Sequence, residues 1–220
     1  MHRLPTLPLG LTAALFSLSA SAQINCAAGS LAVNPIPVQV SNAPIANSRI
    51  NPQINQRHVF CGEINGAGLA VGYHSRPNSH DPLLGTAPTA QQAARITAGQ
   101  LFIVPPGNNH PAPYRYVANG IQVFNTVTNA WVAKAAPSTF YPDSCTQQQV
   151  VASIRYAYMH PYSPAALAAP GNWFAGPSAP SVGAVGYCTG ESGFPFTLRG
   201  YLNQLMGVWT LNTVYPIATF

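Results

Sequence analysis

Beyond residue 50, short apolar runs alternate with Gly, Pro, Asn and Ser along the chain. Runs of that length between turn residues predict strands over residues 69–71, 101–104, 114–117, 121–124, 182–187 and 208–211. Helical periodicity is scarcer. It is best over 145–158, where Val150, Val151, Ile154, Ala157 and Tyr158 form an apolar stripe and Ser144 with Gln147 gives a capping-box pattern. A weaker helical stretch covers 90–98. Residues 23–50 are rich in Asn, Ala and Pro without periodicity and read as an extended arm. The Pro-, Ala- and Gly-rich stretch 161–181 reads as an irregular insertion. There is no internal repeat. The pattern predicts one α+β domain over 51–220, sheet-dominated with few helices.

Residues 1–22 have the layout of a secretory signal: a basic start at His2 and Arg3, an apolar stretch over 9–18, and Ala20-Ser21-Ala22 as a cleavage site. The apolar stretch is too short to span a bilayer and nothing reads as a lipid anchor, so the expectation is a secreted or periplasmic protein beginning at Gln23. Four scattered cysteines, Cys26, Cys61, Cys145 and Cys188, follow the cleavage site. In an exported chain they predict two disulfides, with three pairings open.

Composition narrows the function classes. The 220 residues are 47% apolar, enough for a real core, but only 6% charged, which excludes coiled coils, acidic tails and Lys-rich nucleic-acid arms. A net charge of +5 permits an anionic partner with a thin electrostatic footprint. The acids are Glu63, Asp81, Asp143 and Glu191, too few and too dispersed for a two-metal carboxylate site. No G-x-S-x-G elbow, P-loop, H-E-x-x-H or dinucleotide fingerprint occurs.

What remains is histidine, hydroxyls and one lysine. His58 and His74 flank a Gly-rich hairpin and can face one another, which suits paired acid–base work near neutral pH. By themselves they read first as partly buried histidines with satisfied hydrogen bonds. Gly72 would let backbone N–H groups approach an anion. Lys134, the only lysine, follows an apolar strand (122–131) and offers a compact charge for a phosphoryl oxygen. His74, His80 and Asp81 lack a third strong metal ligand, and His110 and His160 need no function. Two histidines, a lysine and hydroxyls without a metal set make the usual kit for RNA cleavage by 2′-OH attack.

Four blocks then carry a resemblance: Arg57-His58-Val59-Phe60-Cys61-Gly62-Glu63-Ile64, Gly72-Tyr73-His74, Lys134-x-x-x-Ser138-Thr139-Phe140-Tyr141-Pro142 and Thr213-Val214-Tyr215-Pro216. In this order they resemble the bacterial EndoU nuclease domain over nearly the whole chain past residue 50. The resemblance implies a fold of two antiparallel sheets likened to pancreatic-type ribonucleases. It implies cleavage of single-stranded RNA to a 2′,3′-cyclic phosphate, with no cofactor required and Mn2+ at most a stimulant. Carried over by position, His58 and His74 are the acid–base pair and Lys134 the phosphate-stabilising cation. Gly72, Ser138, Thr213 and Tyr215 fall to substrate binding, with Ser138 and Tyr215 holding the base. Many bacterial members are warheads of large toxins, so a toxin effector with a cognate immunity protein is the expectation. The rival is a secreted, non-catalytic binding or surface protein on the same scaffold.

Overall fold

The computed structural model describes residues 23–27, 52–97, 101–104, 114–117, 120–162, 172–190, 193–205 and 207–217, for 101–104, 114–117 and 205 the backbone alone. The signal segment, most of the 23–50 arm, His110 and Glu191 lie outside the described residues.

A four-stranded sheet forms one half, in the order β1 (Gln53–Ile54), β12 (Val208–Pro216), β11 (Thr197–Leu205) and β10 (Trp173–Pro177). β1 lies parallel to β12 and the other pairs are antiparallel. Helix α2 (Gln147–Met159) packs on β10 and β11. Its buried face is the stripe read from the sequence, Val150, Val151, Ile154, Ala157 and Tyr158, set against Phe174, Phe196, Leu198 and Leu202. Each large apolar side chain there contributes about 1.5–3 kcal/mol. The closest approach is at Gly176, where a Cβ would run into the Ala157 backbone, so only glycine lets the helix sit this deep.

The other half is built from short strands: the hairpin β2 (Glu63–Ile64) and β3 (Ala70–Val71), the sheet β4 (Ala94–Ile96), β7 (Ile121–Asn125) and β8 (Ala130–Ala133), and the sheet β5 (Leu101–Val104), β6 (Tyr114–Val117) and β9 (Ser138–Thr139). Its core is Ala70, Tyr73, Ala94, Ile121, Val123 and Phe140. The α+β, sheet-dominated class holds, with the β-structure of the described residues divided into four sheets rather than two and one parallel strand pair among them.

Other expectations are corrected. Residues 182–187 form turns, because Gly183 and Gly186 adopt positive φ and break the run, leaving Val185 exposed. Residues 90–98 contain β4, not a helix; pairing of Ala94–Ile96 with β7 overrides a weak helical preference that has no cap. The run 122–131 is a hairpin, β7 and β8. The 161–181 stretch contains β10. The capping box of α2 is Thr146 with Gln149, two residues later than expected, because Cys145 closes a turn on Pro142 and stays outside the helix. Helix α1 (Gln56–Phe60) is too short to show periodicity; its sequence signal is the cap Asn55. The arm is also more than an arm, since Ile24 and Cys26 are core residues.

The cysteines pair Cys26–Cys61 and Cys145–Cys188, with Cα separations of 5.9 and 5.3 Å. The second bridge, with Cys188 N–H donating to Ser153 Oγ at 2.7 Å, pins a loop of little regular structure onto α2. Replacing Cys145 and Cys188 by Ala is expected to destabilise the protein by about 2–4 kcal/mol, read as a lower urea midpoint with a somewhat steeper slope, because the unfolded chain loses a crosslink and exposes more surface.

Candidate active site

Asn55 starts the site. Its Oδ1 caps α1 by accepting His58 N–H at 3.0 Å, while its Nδ2 donates to Glu63 Oε1 at 3.0 Å and to Asn212 Oδ1 at 2.9 Å. One side chain thus ties α1 to β2 and β12. Gly72 and Tyr73 both adopt positive φ, at 73° and 60°, which turns the chain back onto α1. A Cβ on Gly72 would strike the His58 carbonyl, so glycine is required there by close approach as well as by φ. Tyr73 N–H then donates to His58 O and His74 N–H to Val59 O, both at 2.7 Å. These bonds set the two histidine rings 5.9 Å apart between centroids, tilted by 30°.

The ring nitrogens have distinct partners. His58 Nδ1 lies 3.2 Å from Glu63 Oε2, and its Nε2 lies 2.9 Å from Thr213 Oγ1 on β12. Burial works to raise the Glu63 pKa, but the hydrogen bond and charge of His58, with help from Asn55 and Arg57, bring it below the usual carboxylate value. Glu63 is therefore ionised at neutral pH and accepts from Nδ1–H, leaving Nε2 as the working nitrogen. His74 donates Nδ1–H to Thr139 O at 3.1 Å, because a carbonyl can only accept, and so keeps its Nε2 lone pair free of that bond. Complete burial, then the charges of Lys134 and His58, hold the His74 pKa well below its ordinary value of 6.5. His74 is neutral at pH 7.

Lys134 leaves the end of β8 and donates to Gly72 O at 2.8 Å and to Ser138 Oγ. Burial lowers its pKa to about 8. The Thr139 hydroxyl donates to Pro216 O, holding β9 beside the end of β12. Tyr215 stacks on His74 at 5.2 Å between centroids and 21° between planes. Burial and the neighbouring Tyr201 raise its pKa to about 12, so it stays a neutral phenol.

All seven functional residues expected from the sequence meet here, with two shifts of contact. Gly72 serves close packing against α1 and gives its carbonyl to Lys134. Thr213, expected to support Ser138 and Tyr215, touches His58. Glu63, Asn55 and the Thr139 carbonyl are additions; the available signal for Glu63 was its place five residues after His58 in a chain with four acids. Asp81 is taken up by Tyr73, Gln92 and Arg76, and His160 caps α2 with its Nδ1 against Tyr156 O. Among the described residues no group of three His, Cys, Asp or Glu side chains is placed to hold a metal ion.

A family model for the bacterial EndoU nuclease matches residues 52–218. The chain belongs to the bacterial EndoU nuclease family. It is a nuclease, and nucleic acid is its substrate. No curated protein and no solved structure matches the chain. The match covers α1, the hairpin, Lys134 and the β12 end, every element that supplies this EndoU site. Two disulfides fit an extracytoplasmic protein, and no helix among the described residues is long and apolar enough to cross a membrane.

The buried neutral His74 has a consequence for stability. The unfolded chain takes up a proton near pH 6.5 that the native ring refuses, so stability is expected to fall as pH drops below about 6.5. Its contribution is at most about 1.4 kcal/mol per pH unit. Urea titrations should show that this component of the slope is missing in His74→Gln.

Proposed function

We propose that this EndoU nuclease is an exported endoribonuclease that cleaves single-stranded RNA by 2′-OH attack, leaving a 2′,3′-cyclic phosphate and a 5′-hydroxyl. The observation that carries the reading is the pair of differently partnered imidazoles, 5.9 Å apart, beside a half-buried lysine. Neutral His74 takes the 2′-OH proton on Nε2 as the 2′-oxygen bonds to phosphorus. His58, its charge compensated by Glu63, gives its Nε2 proton to the departing O5′. Lys134 supports the charge that develops on the phosphoryl oxygens. Tyr215 supplies an aromatic ring for the base at the cut and Ser138 a hydroxyl, while Thr213 holds His58 Nε2 in line. These roles require no cofactor. The signal-like first 22 residues and the two disulfides support export, and a toxin acting on neighbouring cells, restrained by an immunity protein, accounts for an exported nuclease.

Purified protein with a fluorescent single-stranded RNA, with and without EDTA, tests this reading. Cyclic-phosphate ends are expected, and a substrate with deoxyribose at the cut should survive; its cleavage at a comparable rate would refute the mechanism. His58→Ala and His74→Ala should each lower the rate by roughly two to four orders of magnitude.

Lys134 gives a second, independent expectation. Lys134→Ala should lower kcat by about a hundredfold or more with a much smaller loss of RNA affinity. Activity should fall above about pH 8 as Lys134 loses its proton. Lys134→Arg should rescue only part of kcat while moving that alkaline limb upward, because a guanidinium stays charged but does not place its charge where an ammonium does.

A further inference from the structure

Helix α2 covers one face of the four-stranded sheet, where Phe174, Leu198, Leu202 and Val214 are buried. Strand alternation sends Trp173, Arg199, Tyr201, Thr213 and Tyr215 to the opposite face, and none of these five is fully buried. The ladder register sets them in two rows across the strands. In one row Tyr215 stands opposite Arg199 and Arg199 opposite Ala175. In the other Thr213 stands opposite Tyr201 and Tyr201 opposite Trp173. Neighbours within a row are about 5 Å apart, the spacing of adjacent strands.

Each row begins at a catalytic histidine. Tyr215 stacks on His74, and Thr213 Oγ1 lies 2.9 Å from His58 Nε2, the nitrogen that faces the departing O5′. The register skips Asn212, and this bulge lets Asn212 and Thr213, adjacent in sequence, both reach the residues around α1. The second row therefore leads from the leaving-group side of the site outward over Tyr201 to Trp173.

Its chemistry suits a single-stranded polynucleotide. Tyr201 is 37% exposed, although it sits in the middle of a sheet. The Arg199 guanidinium lies 5.1 Å from the centre of the Trp173 ring, and its Nε is buried without a hydrogen-bond partner. Among the described residues the ion pairs of Glu63, Asp81 and Asp143 go to His58 and Arg76, so no carboxylate neutralises Arg199. Tyr201 and Arg199 also bear on the Tyr215 phenol, the first raising its pKa and the second lowering it, so the two rows are in electrostatic contact. An exposed ring beside an uncompensated cation offers stacking and phosphate attraction together and requires no readout of base edges.

We infer that this face is the shelf for the RNA segment 3′ of the cut, with Tyr201 stacking the first base past the departing oxygen and Arg199 attracting the strand's phosphates. The occupant is the substrate strand itself, because the shelf is continuous with the site through Thr213 and Tyr215. The inference rests on the ribonuclease reading for its polarity, since that reading assigns His58 to the leaving oxygen.

The test uses oligonucleotides with one ribose at the cut, deoxyribose elsewhere, and either adenine or an abasic unit as the 3′ neighbour. The wild-type protein should cleave the adenine substrate roughly tenfold more efficiently, the usual scale of base–aromatic stacking. Tyr201→Ala should remove that preference, mainly through KM, and cost the abasic substrate far less. Tyr201→Phe should keep it, whereas a role exerted through the hydroxyl on Tyr215 predicts that Phe behaves like Ala. An affinity arm uses the same pair with deoxyribose at the cut as well, read by fluorescence anisotropy over a range of salt. Arg199→Gln should reduce the slope of log affinity against log salt by about 0.7, the value of one phosphate contact on a single strand, and Arg199→Lys should preserve it. Intact RNA together with an adenine preference in affinity that Tyr201→Ala abolishes would refute the ribonuclease reading and spare the shelf. Equal behaviour of adenine and abasic ligands in the wild type, a preference that survives Tyr201→Ala, or an unchanged salt slope in Arg199→Gln would overturn the shelf.

Discussion

Everything in the site depends on the reversal at Gly72–Tyr73. Two consecutive residues with left-handed backbone bring the chain antiparallel to a helix of only five residues and feed two N–H groups into its otherwise unpaired carbonyls. A short helix has little stability of its own, so α1 owes its existence to these bonds and to the Asn55 cap. The catalytic geometry and the local fold are thus one set of interactions. Tyr73 bears a strained φ, offset by full burial of its ring and by its hydroxyl on Asp81.

The two histidines differ in environment although they are neighbours. His58 has a carboxylate behind it and a hydroxyl in front, whereas His74 has a backbone carbonyl behind it and a cation nearby. Such asymmetry gives two chemically identical side chains different surroundings, and His74 is the one kept neutral. Burial supplies most of the effect on His74. The lysine adds to it, because a cation already in the site disfavours a second positive charge beside it.

The legible parts of the sequence were those governed by local chemistry. The apolar stripe of α2 appears where periodicity put it, and the strands over 101–104 and 114–117 match residue for residue. His58, His74 and Lys134 stood out because few charged and titratable groups are present at all, whereas Ser138, Thr213 and Tyr215 were named only from the family resemblance. What escaped was decided at long range. Residues 94–96 became a strand because β7 was available to pair, and the run over 182–187 failed as one because two glycines took positive φ. The Glu63–His58 contact, and the convergence of Thr213 on that ring across 155 positions, are tertiary facts with no local signature.

The disulfide connectivity bears on assembly as well as on stability. The first cysteine joins the second and the third joins the fourth, so the two covalent loops are neither nested nor crossed. In a chain emerging N-terminus first, each thiol meets its native partner as the next one to appear. Simple oxidation in order of emergence then yields the native pairs, and no rearrangement of mispaired bridges is needed. The Cys26–Cys61 loop closes directly behind His58, so that end of α1 is fastened to the start of the chain before the strand carrying Thr213 and Tyr215 has emerged.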